Sequence, residues 1–134
     1  MPYTDDDALP EVSDEAMRAA LGQTHPYTVI ILMAGPRFSP PGPDRDPEVA
    51  SIIWQHGNRN FRLRAAGLLQ VVCPIADGTD VVGIGVFAAS PEDVDRIYSQ
   101  DPAVKAGVLR YEVHPSRTFP GSMLTAWTQM DMVD

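Results

Sequence analysis

The chain predicts an α+β domain on the ferredoxin-like plan, β-α-β-β-α-β, with a four-stranded antiparallel sheet. Three observations predict it. Four short runs, residues 27–33, 68–75, 81–87 and 108–113, are rich in Val, Ile, Leu and aromatic side chains and fit strands. Two capped segments, opening at Asp46-Pro47-Glu48 and Ser90-Pro91-Glu92-Asp93, place helices after the first and third of these runs. Residues 76–80 hold the Asp77-Gly78 turn signal, which joins the second and third runs as a hairpin. That order of elements is the split βαβ arrangement, with both helices on one sheet face.

Each element has its own local justification. Ser13 can cap a short leading helix whose weak apolar stripe is Ala16, Met17, Ala20 and Leu21, ending at Gly22. The run YTVIILM is continuous and β-branched, as a buried strand requires, and stops in the Pro- and Gly-rich loop AGPRFSPPGPDRDP. Asp46 and Pro47 start a helix expected to run to Ala66 and to end at Gly67, a residue suited to left-handed termination. Ser90 and Asp93 can close a capping box for the second core helix, which ends near Gln100. A strand follows over 108–113, with Pro115 expected to stop it. Residues 1–25 read as an N-terminal extension, 26–120 as the domain and 121–134 as a C-terminal tail.

The 134 residues suffice for one core without disulfide or metal support. A net charge of −8 argues against nucleic acid as a partner, since phosphate backbones require clustered Lys and Arg. Much of the acid lies near the ends, in Asp5, Asp6, Asp7, Glu11, Asp14, Glu15, Asp131 and Asp134, where it reads as solvated tail. No apolar run approaches the ~20 residues of a membrane span, and one cysteine, Cys73, allows no internal disulfide. The expected location is the cytoplasm. The helix-free face of a four-stranded sheet needs a cover, and a second copy of the chain supplies one, so a homodimer is expected.

Chemistry concentrates on the first core helix. Val49, Ile52, Ile53 and Leu63 form its apolar stripe, and His56 and Asn60 fall in the same stripe. An inward histidine is either a core side chain satisfied by a backbone carbonyl or a functional base. Gly57 beside it makes room for a ligand or for close helix packing. The end of the second helix can approach the middle of the first, which would let Asp101 orient His56 and fix its tautomer. An aspartate just beyond a helix end is unfavourable by the helix dipole, so a partner such as His56 would explain it. Candidate substrate-binding residues are Asn60, Arg59, Trp54 and Arg37, with Arg45 beside Arg37 in the Pro-rich loop as a further steering cation. Trp127 is a pocket, dimer or tail-anchor candidate. Cys73 reads as a small core residue, and His25 and His114 as solvated strand-end histidines. None of these shows metal-ligand spacing, so no metal and no cofactor are expected.

The segment Asp101-Pro102-x-Val104-x-Ala106-Gly107-Val108, with His56 eleven positions before Gly67, Gly67-x-Leu69 and Pro74, resembles the YCII-related (YciI-like) proteins. These are small dimeric α/β-barrel domains related to muconolactone isomerase. Cys73 and Gly57 depart from the family pattern, as does the long loop 35–47. The resemblance implies a dimeric α/β barrel and a His56–Asp101 catalytic dyad. It also implies cofactor-independent acid–base chemistry, a lyase or isomerase acting on a small cyclic or aromatic metabolite, since the family includes a dehydrochlorinase of a chlorinated hydroxyquinol. Two other functions fit the residues. One is a non-catalytic ligand-binding or dimerisation module with a structural His–Asp bond; the other is a cofactor-free monooxygenase-like activity.

Overall fold

A computed structural model describes residues 5–124. They divide into two compact units, one of them Pro26–Arg117 and the other made from the segments flanking it. The flanking unit holds a 3-10 turn at Asp6–Ala8 and helix α1, Asp14–Leu21. Ser13 Oγ caps α1 by accepting the amide of Ala16 at 3.1 Å, and Gly22 ends it. Trp127 and the closing acids lie outside the described residues.

The larger unit is α+β. Strand β1 (His25–Ala34) leads through the Pro-rich loop to helix α2 (Pro47–Ala65); then come β2 (Leu69–Pro74), β3 (Val81–Phe87), helix α3 (Pro91–Ser99), helix α4 (Pro102–Lys105) and β4 (Leu109–Thr118). The strands form one antiparallel sheet in the order β2-β3-β1-β4, compatible with the ferredoxin-like plan. Pairing of Thr28 with Phe87, Ile30 with Gly85 and Leu32 with Gly83 puts these residues on the helix-covered face, where all six are buried. The alternate residues Ile31 and Ile84 pair on the opposite face, and Ile84 is 37% exposed.

Burial follows that register. Ile30, Leu32, Leu69, Phe87, Val94 and Tyr98 form one core, between the sheet and α3. Val49, Ala103, Val108 and Leu109 form a second, where α2 meets α4 and β4. Their apolar area, withdrawn from water at about 25 cal/mol per Å², fixes α2 and α3 against the sheet.

Two local expectations change. The chain does not pass directly from α3 into the last strand, because Asp101 to Lys105 makes one more turn of helix. Gln100 ends α3 and Asp101 is the N-cap of α4, accepting the amides of Ala103 and Val104. The carboxylate therefore stands at a favourable helix start, and no dipole penalty needs explaining. Second, β4 continues beyond Pro115 to Thr118. It is an edge strand, where a residue without an N–H need not break a ladder bond.

Candidate active site

The site is built from the middle of α2 and the turn between α3 and α4. His56 Nδ1 lies 2.9 Å from Asp101 Oδ1, and Asp101 is fully buried. The other carboxylate oxygen accepts Ala103 N at 2.9 Å and Val104 N at 3.4 Å, so capping α4 also locks the carboxylate in place. Its φ of −65° and ψ of 133° are the extended values expected before proline. Arg59, one turn from His56, brings Nη1 within 3.8 Å of Asp101 Oδ1. That nitrogen is buried without a hydrogen bond to any described residue, and its charge offsets the desolvation of the carboxylate.

A chain of polar groups continues on the other side of the imidazole. The Tyr98 hydroxyl donates to Asn60 Oδ1 at 2.9 Å, and Asn60 Nδ2 lies 3.3 Å from His56 Nε2. With Oδ1 taken by Tyr98, the Asn60 amide presents N–H to His56, so Nε2 is the acceptor and Nδ1 carries the proton donated to Asp101. Four side chains thus specify one neutral tautomer. Burial pushes the Tyr98 hydroxyl pKa well above its ordinary value, and the nearby Asp101 charge pushes it further.

His56 and Asn60 form part of the wall of a cavity of about 570 Å³. Helix α2 faces it with two rows at i, i+4, i+8: Ile53, Gly57, Phe61 and His56, Asn60, Arg64. Leu32, Val72, Val82 and Leu109 are on the sheet side, and Phe38, Pro41 and Arg45 come from the Pro-rich loop. The glycine alternatives separate clearly here. A Cβ on Gly57 would meet nothing within 4 Å, so this glycine opens space and does not serve close packing. Gly83, on the floor, would place a Cβ 3.4 Å from the Cys73 carbonyl oxygen.

Of the residues expected to act together, His56, Asp101, Asn60 and Arg59 are gathered. Asp101 and Arg59 do not line the cavity; they stand behind His56. Trp54 is 80% exposed and lies off the cavity. Arg37 also lies off it: Nη1 donates to the Ala106 carbonyl at 3.0 Å and Nη2 pairs with Glu48 at 3.1 Å, tying the loop to the end of α4 and the start of α2. Sequence patterning alone does not mark Tyr98 as part of the site, nor Phe61 and Arg64 as cavity wall. The i+4 and i+8 spacing from Ile53 and His56 becomes a signal for the latter two once those residues are known to line the cavity.

Cys73 is free and half-buried, His25 is exposed, and exposed His114 lies 3.3 Å from Glu112. Among the described residues no three His, Cys, Asp or Glu side chains gather to hold a metal ion, and no helix is long and apolar enough to cross a membrane. No family model matches the chain, and no curated protein matches it.

Proposed function

We propose that this protein is a small, cofactor-independent acid–base enzyme of the YCII-related type, with His56 as the base and Asp101 as its positioning partner. The single observation behind this reading is that a histidine held at 2.9 Å by a buried carboxylate forms part of the wall of a ligand-sized apolar cavity. The substrate is a small cyclic or aromatic metabolite with an acidic C–H or O–H. His56 Nε2 exchanges its long contact with Asn60 for the substrate and takes the proton. The electron pair left behind moves toward the neighbouring carbonyl, whose oxygen accepts the freed Asn60 N–H. Return of the proton at another carbon completes an isomerisation; departure of a leaving group with its electron pair completes an elimination, and the imidazolium then releases its proton to water. Asp101 stabilises the imidazolium throughout. The active form is a homodimer joined through the helix-free sheet faces, as a dimeric α/β barrel.

One observation favours a second reading, a ligand-binding module without catalysis. His56 is only 8% exposed and both its ring nitrogens have protein partners, as a structural network would have. Solvent-deuterium exchange into small cyclic ketones and lactones, followed by proton NMR, separates the two. The enzyme reading expects exchange to be accelerated and to fall ~10²–10⁴-fold in His56→Asn. Absence of acceleration across such a panel favours the module.

A further inference from the structure

We infer that the cavity selects a ring compound bearing a carboxylate, gripped by Arg45 and attracted by Arg64. The inference rests on the reading of this cavity as the substrate site. The chain carries 18 acidic residues against 10 basic ones, yet among the described residues no carboxylate lines the cavity, and two arginines do. Neither Arg45 nor Arg64 forms an ion pair with a described residue. For Arg45 this is notable, because Asp44 and Asp46 are its sequence neighbours. Asp46 is turned away to cap α2, accepting the Glu48 amide at 2.9 Å.

Arg45 is instead fixed by uncharged groups. Its Nε donates to the Ser39 carbonyl at 2.8 Å, and its guanidinium lies 5.7 Å from the centre of the Phe38 ring. These contacts hold the plane of the fork and leave both terminal nitrogens for a planar oxyanion, the geometry in which arginine binds carboxylates through two parallel bonds. Arg64 is exposed and sits 5.5 Å from the Phe61 ring centre, in the row of His56 and Asn60. Its charge raises the local concentration of anions without fixing one. Between the two cations the lining is apolar (Ile53, Phe61, Val72) or absent altogether at Gly57, which suits the body of a ring.

The test measures binding of benzoate and of its neutral isostere benzamide at low salt, by ligand-detected NMR and calorimetry, with thermal melts to verify folding of each variant. Wild type is expected to favour benzoate by about tenfold or more, the scale of one charge-assisted hydrogen bond. Arg45→Gln should abolish that preference. Arg64→Gln should lower benzoate affinity at low salt and leave it nearly unchanged at high salt. Gly57→Leu should exclude both probes by filling the cavity. Equal binding of the two probes, or binding of neither at millimolar concentration, overturns the inference. So does a benzoate preference that survives Arg45→Gln, or probe binding that survives Gly57→Leu in a folded protein. The acid–base reading fails separately: a carboxylate preference without His56-dependent deuterium exchange removes that reading and leaves the ligand class standing. Exchange without carboxylate preference does the opposite.

Discussion

Asp101 holds His56 Nδ1 at 2.9 Å with one carboxylate oxygen and caps helix α4 with the other. One buried side chain therefore links the start of a helix to the tautomer of an imidazole 45 positions earlier. A residue with both duties has two separable failures, and isosteric substitution reaches only one of them.

Asp101→Asn should leave the fold intact, because asparagine caps helices about as well as aspartate. Its oxygen must then accept the Ala103 amide, which turns its NH₂ toward His56 Nδ1. The imidazole proton is expected to move to Nε2, where it opposes the Asn60 amide. Nitrogen NMR of the histidine ring should show the Nδ1–H form in wild type and Nε2–H in the variant. Asp101→Ala loses the cap as well, and its melting temperature should fall by an amount equivalent to about 2–4 kcal/mol. An unchanged tautomer in Asp101→Asn would remove the positioning role.

Alkaline pH should weaken the fold through its tyrosines. Burial holds the Tyr98 hydroxyl pKa above the ordinary value of 10.0, and burial, with Asp95 adding to it, raises Tyr111 to about 12. A phenol whose folded pKa exceeds its unfolded one contributes stability that is fully present below about pH 10. That stability is lost as pH climbs from there through the folded value. The tyrosine contribution to the melting temperature should accordingly be constant below about pH 10 and decline above it. Tyr98→Phe should flatten part of the decline, at a cost near neutrality of roughly 1–3 kcal/mol for the Asn60 oxygen it leaves without a donor. Equal alkaline slopes in the two proteins would contradict this.

Two glycine substitutions should have opposite signs. Gly57→Ala meets no atom within 4 Å and replaces the poorest non-proline helix former inside α2, so it should stabilise by about 1 kcal/mol. Gly35→Ala would drive its Cβ into the Gly107 carbonyl oxygen, where backbone faces backbone. It should destabilise by about 1–3 kcal/mol or more. Denaturant titration of both variants checks the pair, and a stabilised Gly35→Ala would mean that the β1 end and the α4–β4 turn separate readily.

The proposed dimer makes a prediction about mass. Light scattering should give about twice the 14.6 kDa of one chain at micromolar concentration. Ile84→Glu, on the sheet face opposite the helices, should shift that mass toward the monomer while the far-ultraviolet circular dichroism stays the same. A wild-type monomer would rule out assembly through this face at that concentration.

The amino-acid sequence by itself determined the elements and their order. Continuous β-branched runs, a period-3.6 apolar stripe, Ser13, Asp46 and Ser90 at helix starts and Gly78 in the hairpin act over a few residues, so they can be read locally. It also brought out His56 and Asn60 as misplaced polar groups on an apolar stripe. The extra turn α4 escaped it, because four residues show no periodicity and Asp-Pro serves a turn as well as a cap. Only the tertiary structure decided which partners those polar groups have. Tyr98, Asn60, His56 and Asp101 come from two segments far apart in the chain, and their contacts depend on how α2 lies against the α3–α4 turn, a packing result of many small apolar contacts. The same packing leaves Arg45 and Arg64 on a cavity wall and turns Arg37 and Trp54 away from it, an outcome that position along the chain does not reveal.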